Sequence, residues 1–249
     1  MAIKTRKISD WLSANGQAVT NASAASMKTY LEQNLRPLQD GVYIGKIQNE
    51  KNSNSYLRCE EWQTTSIGIS NADADAVVVQ HGGLRIGIAL TEPSATMKWG
   101  SVQNASSVGY QTSSDWNLFD GKTRTAAIMA SSYYKNDDPA TYAVAYCYNF
   151  SKSHTGDPGG DVSIPAKSWY LPATGELEII RSHFETINLA LMRIKNAGKQ
   201  SVDLLKRAPY LSCVEFSGTN AWRLDFSNGY RSNGGKVGAT LQVRPVTTF

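Results

Sequence analysis

Charge is scarce in this chain. Asp, Glu, Lys and Arg make up 18% of its 249 residues, below the usual share of about 25%. Ser, Asn, Thr and Gly fill the gap, and that composition suits turns and β-structure more than helical bundles. Cysteine is scarcer still. Cys59, Cys147 and Cys213 are odd in number and far apart, which excludes a disulfide framework and a zinc-ligand spacing. They read as buried free thiols of a protein made in a reducing compartment. Long apolar runs are missing: no window approaches the ~20 apolar residues of a membrane span, so no membrane insertion is expected. The opening MAIKTRKISDWLSANG has positive residues without an apolar run behind them. No signal peptide is expected from it.

The residue patterns of common chemistry are missing too. His81, His154 and His183 form no HxxxH or HExxH word, so a zinc site is not expected. A Cys–His catalytic pair has no supporting motif. Asp73, Asp75 and the pair Asp137-Asp138 do not compose a calcium loop, and Asp115 reads as a solvated loop acid. Gly159-Gly160 and Gly234-Gly235 lack the Lys-Ser/Thr or strand-to-helix context of a phosphate cradle. The formal net charge is +4 and scattered, densest at Lys4-Thr5-Arg6-Lys7. That is no stripe, so nucleic acid is not an expected partner. The chain therefore reads as a non-enzyme without metal or cofactor.

What is present is a sequence of textures. Six Trp and twelve Tyr supply aromatic mass for a core. Residues 3–38 have helical periodicity, with Ile8, Trp11 and Leu12 on one face and Met27, Tyr30, Leu31 and Leu35 on another. Ser9 or Asp10 is the candidate cap, and Arg36-Pro37 ends the pattern. Such an arm is either an oligomerisation or attachment device or a helix packed on its own domain. From Asp40 the texture turns to β: GVYIGKI, SNSYLRCEEW, TSIGIS, then ADAVVVQ and LRIGIALTE flanking His81-Gly82-Gly83 as a hairpin. Met97-Lys98-Trp99-Gly100 closes this meander. Asp120 opens a helix with Thr123 or Thr125 as cap, and a second spans 140–149. Residues 151–165 read as a long loop. After Trp169-Tyr170-Leu171-Pro172, Thr174 caps a helix with Glu176 and Glu178 in its first turn. That helix continues through Ile194, with Gly198 as its C-cap. Short strands return from Leu204 to Phe249. Runs of β and α rather than regular alternation predict an α+β domain.

Three words then align. Asp40-Gly41-Val42-Tyr43 precedes Glu60-Glu61-Trp62 and Ile86-Gly87-Ile88-Ala89-Leu90. Trp169-Tyr170-Leu171-Pro172 is followed by Gly175-Glu176-Leu177. Tyr210-Leu211-Ser212 leads to Glu215-Phe216, Asn220-Ala221-Trp222, Phe226-Ser227-Asn228-Gly229 and Val243-Arg244-Pro245-Val246. Over about Asp40 to Phe249 the chain resembles the variable proteins of diversity-generating retroelements. The resemblance implies a C-type-lectin-like fold over 39–249 and a 1–38 arm used for oligomerisation or attachment. In that family a reverse transcriptase rewrites the 3′ end of the gene at template adenines, and the altered side chains lie on one exposed face.

Residues 208–249 are the corresponding segment here. Trp222, Leu224 and Phe226 alternate and are expected in the core. Asn228-Gly229 predicts a turn with positive φ. Val243, Pro245 and Val246 suit a last strand beside the N-terminal meander. The family commonly has Tyr-Trp-Ser-Ser-Thr-Glu-Tyr where this chain has Tyr210 to Phe216. Leu211, Cys213, Val214 and Phe216 are therefore candidate diversified, ligand-binding positions. So are Arg223, Asp225, Tyr230, Ser232, Asn233, Gly234, Val237, Gly238, Ala239, Thr240 and Leu241. The Glu-Pro-Asn and Trp-Asn-Asp calcium words of sugar-binding lectins are absent. The resemblance implies a phage tail-associated protein, carried on the virion after synthesis in the bacterial cytoplasm. It would bind a host-surface protein or glycan, as a homotrimer joined through its arm to other tail or fibre proteins. The alternative is a bacterial lectin-like adhesin that does not diversify.

Overall fold

The computed structural model describes residues 39–49, 55–61, 73–105, 117–154, 162–164, 166–199 and 201–248. The expected arm (1–38), the TSIGIS strand, Asp115 and Gly159-Gly160 lie outside these residues, as do the side chains of Cys59 and His154.

The first sheet has five antiparallel strands in the order β10-β4-β3-β1-β2. These are β1 (Gly41–Asn49), β2 (Ser55–Glu61), β3 (Ala76–His81), β4 (Leu84–Ala89) and β10 (Val246–Thr248). β3 is buried throughout its valine run (AVVVQH), as a strand covered on both faces should be. His81 pairs with Leu84, leaving the two-residue turn Gly82-Gly83 with φ of +54° and +84°. Positive φ at both positions defines a type I′ turn, which matches the twist of the flanking strands. β10 pairs with β4, so the C-terminal segment does close against the meander. Met97 and Lys98 do not close it. They bridge instead to Leu241 and Tyr142.

Four helices follow among the described residues: α1 (Gly121–Ala130), α2 (Ala143–Asn149), α3 (Thr174–Ser182) and α4 (Phe184–Asn196). α1 starts at Gly121, with Asp120 before it making no side-chain cap bond. Thr125 is not a cap; it is buried, and its hydroxyl donates to Leu171 O and accepts from Leu171 N. At α3 the residue before the helix is Ala173, not Thr174, and the Glu176 carboxylate accepts from Ala173 N at 2.7 Å. The expected single helix to Ile194 is broken at His183 (φ −104°, ψ 14°). Ser182 Oγ donates to Ile179 O, and His183 Nδ1 stands 3.0 Å from the same carbonyl. Local side-chain bonding of this kind competes with the helical ladder. Gly198 then supplies the left-handed turn after α4, with φ +98°.

Residues 152–164 are not simply loop: β5 (Lys152–His154) pairs with β6 (Val162–Ile164). The third sheet is β7 (Pro209–Glu215), β8 (Asn220–Asp225) and β9 (Arg231–Gly235), in that order.

Two apolar clusters hold the unit. One joins β1, β3 and β4 to α3, α4, Tyr210, Leu224 and Phe226. The other joins Met97, Trp99, α1, α2, Leu171, β7 and Val243. Trp222, half-buried, packs against both.

Candidate ligand-binding face

Sheet register decides which candidate positions meet. Arg223 lies opposite Ser232 and Trp222 opposite Asn233. Successive side chains alternate, so these pairs occupy opposite faces. On the first face Arg223 Nε donates to Ser232 Oγ at 2.8 Å. Its guanidinium lies 3.1 Å from where a Cβ on Gly234 would stand, so the glycine admits the flat arginine against the strand. On the second face Asn220 Nδ2 donates to Asn233 Oδ1 at 2.8 Å. There the Phe216 ring meets Trp222 edge-on, with centroids 4.9 Å apart. The face of Trp222 and Asn233 thus runs into the core at Leu224, which is 0% exposed, while Arg223 and Ser232 stay half-buried on the other face.

Among the described residues, the β8–β9 turn carries the most exposed aromatic. Tyr230 is 68% exposed. Gly229 beside it has φ +79°, as the Asn-Gly pair predicted. Asp225 serves that turn: its carboxylate accepts from Ser227 N and Ser227 Oγ. Gly238 and Thr240 are exposed, whereas Val237, Ala239 and Leu241 are half-buried. Leu241 exchanges both backbone bonds with Met97, so it belongs partly to the scaffold.

Three candidates are not on this face. Leu211 is 4% exposed, and Cys213 and Val214 are 0% exposed. β7 is interior: β8 lies along one edge, while Leu211 N donates to Gln242 O and Cys213 N to Pro172 O. Both of its faces are covered, so these side chains fill the core and reach no ligand at the surface. Arg231, which was not among the candidates, is exposed and donates to Glu178 at 2.7 Å.

The face is held from below by ion pairs that sequence reading did not single out. Lys236 and Glu215 are both 0% exposed and 2.6 Å apart. Lys236 Nζ also donates to Ala105 O and lies 4.9 Å from the Trp99 ring centroid. Burial pulls its ammonium below the usual lysine range, and the Glu215 carboxylate pushes back. Further along, Arg244 donates to Ala89 O and Asp203 O and pairs with Glu92 at 3.1 Å. Tyr210 OH donates to the same carboxylate oxygen at 2.5 Å.

Among the residues weighed above for chemistry, Cys147, Cys213, Asp137 and Asp138 have their surroundings described. Burial pushes the Cys147 and Cys213 thiols up. Asp137 accepts from Ser101 N and Ser101 Oγ, and Asp138 accepts from Ala140 N and Thr141 Oγ1. Among the described residues no group of three or more His, Cys, Asp or Glu could hold a metal ion, and no helix is long and apolar enough to cross a membrane.

No family model matches the chain, and none of the curated proteins matches it in sequence. Among solved structures it is similar to a fimbrial protein from Bacteroides ovatus ATCC 8483, with a TM-score of 0.51 at 13% identity. The likeness covers 85% of this chain and 49% of that one. The chain thus spans about half the length of the fimbrial protein it matches. At that identity the likeness concerns the fold alone.

Proposed function

We propose that this chain is a non-catalytic, adhesion-type binding protein of C-type-lectin-like fold that meets a cell-surface protein or glycan through β8, β9 and residues 237–241. One observation carries this reading. The buried Glu215–Lys236 pair and the Arg244 network fix the backbone from inside, while Tyr230, Arg231, Gly238 and Thr240 are exposed on the same segment. Tyr and Arg are the residue types that anchor interfaces, and Ser, Gly and Asn adapt around them. The fold likeness to a fimbrial protein agrees with a surface role.

In its finer form, the exposed positions are diversified by a retroelement and the protein serves a phage tail, trimerised and attached through residues 1–38. Avidity would then compensate for weak single sites. The second reading is a bacterial adhesin that does not diversify. It is favoured by the burial of Leu211, Cys213 and Val214, which takes three departures from the family pattern off the display face, and by the fimbrial likeness.

The binding claim is tested by applying the labelled full chain to intact bacterial cells and a glycan array, beside a Tyr230→Ala/Arg223→Ala variant. We expect the variant to lose signal with its melting temperature unchanged. Equal signal from both would end the assignment of this face. The diversification claim is tested separately, in the nucleotide sequence. A near-copy of the codons for 208–249, differing at adenines and beside a reverse-transcriptase gene, is the expected finding. Its absence leaves the non-diversifying adhesin.

A further inference from the structure

A second candidate site lies away from the β8–β9 face. A cleft of about 390 Å³ is lined by Leu90, Thr91, Phe150, Lys152, Gly198, Lys199 and Ser201. Two of its cations converge on one atom. Lys152 Nζ and Lys199 Nζ lie 3.6 and 3.8 Å from Asp75 Oδ1. Asp75 is 1% exposed, and its other oxygen accepts from Ile47 N at 3.1 Å. The two lysine side chains remain about a quarter exposed (27% and 23%). Around Lys199 the ammonium groups of Lys46 and Lys152 stand against the carboxylates of Asp73 and Asp75. At contact distance, the two lysines that line the cleft share the single Asp75 carboxylate. Burial and the neighbouring Lys152 charge pull the Lys199 ammonium down, so an added anion would relieve a real repulsion.

The remaining lining is amphipathic. Phe150 is held by an edge-on contact with Trp169, with ring centroids 5.0 Å apart, and Leu90 extends the apolar wall. Thr91 and Ser201 supply hydroxyls. Pockets of this size, mostly apolar with a few convergent polar groups, suit small organic ligands.

We propose that this cleft binds an acidic monosaccharide unit of the uronic-acid class, its carboxylate between Lys152 and Lys199, its ring against Phe150 and Leu90, and its hydroxyls at Thr91 and Ser201. The site stands independently of the display face. Its failure would leave that reading intact.

Calorimetric titration of the full chain with glucuronate, glucose and inorganic phosphate tests it. Glucuronate should bind, glucose should give no heat at the same concentrations, and phosphate should bind at least tenfold more weakly. A Lys152→Gln/Lys199→Gln variant should lose about tenfold or more, the cost of removing charged hydrogen-bond partners. Ser201→Trp fills the cleft without altering charge and should abolish binding; far-UV circular dichroism checks both variants for folding. Silence with glucuronate overturns the proposal, as does glucose binding equal to glucuronate. Phosphate binding as tightly as glucuronate shows a bare anion site and overturns the sugar assignment. Folded variants that bind like the parent place any binding elsewhere and also overturn it.

Discussion

Lys236 and Glu215 form an ion pair of 2.6 Å with neither side chain reaching solvent. Lys236 begins the turn after β9 and Glu215 ends β7, so the pair ties together the two outer strands that flank β8. Desolvating two charges is costly, and losing one partner strands the other. Lys236→Met should therefore destabilise the fold by about 3–5 kcal/mol, and Glu215→Leu by a similar amount. The double variant should recover most of that loss. Urea unfolding of the three proteins measures it; single variants as stable as the parent would show the pair carries no weight.

Arg244 makes a different demand. Its two terminal nitrogens serve Ala89 O, Asp203 O and the Glu92 carboxylate at once. A lysine offers one point charge in place of a planar fork. Arg244→Lys should cost about 2–4 kcal/mol even though the charge is kept, because buried carbonyls lose their donors. The check is the urea midpoint at constant m-value. A loss within about 0.5 kcal/mol, the usual size of a surface effect, would refute this account of the network.

What the sequence reveals here follows from how local each feature is. Gly82-Gly83 and Asn228-Gly229 were legible because positive φ is a property of the turn itself. Leu224 and Phe226 were legible because alternation of large apolar residues marks a core face. β9 was not: RSNGG has no apolar period and becomes a strand only by pairing with β8, a tertiary effect that overrides propensity. β7 hid differently. Its continuous run PYLSCVE is the signature of a strand covered on both faces, but comparison with a family pattern drew Leu211, Cys213 and Val214 toward the surface. The Lys236–Glu215 and Arg244–Glu92 pairs join residues far apart in sequence, and no local spacing announces them.

Tolerance to substitution should divide the segment in the same way. Leu211→Ala removes buried methyl groups and should cost about 2–4 kcal/mol. Tyr230→Ala and Thr240→Ala remove exposed groups and should change stability by less than about 0.5 kcal/mol. Thermal melts of the three variants suffice. A large loss at Tyr230 would mean that the turn is scaffold rather than display.

Glu176 makes stability depend on pH in an unusual sense. Its carboxyl is 1% exposed, accepts from Tyr170 OH and Ala173 N, and leaves no room for a Cβ on Gly121, which would stand 2.4 Å from Oε2. Burial pushes its pKa from 4.5 to about 7, against the hydrogen bonds that favour ionisation. Between those values the folded chain holds a proton that the unfolded chain has released. Stability contributed by this group is therefore complete below pH 4.5, falls as pH rises toward about 7, and levels off above it. Integrated over the window, the fall is roughly 3 kcal/mol. Glu176→Gln cannot ionise and should flatten that slope, at the cost of one of the two accepted bonds. Urea unfolding of both proteins at intervals from pH 4 to pH 8 separates the outcomes: parallel curves would mean that Glu176 keeps an ordinary carboxyl in the folded chain.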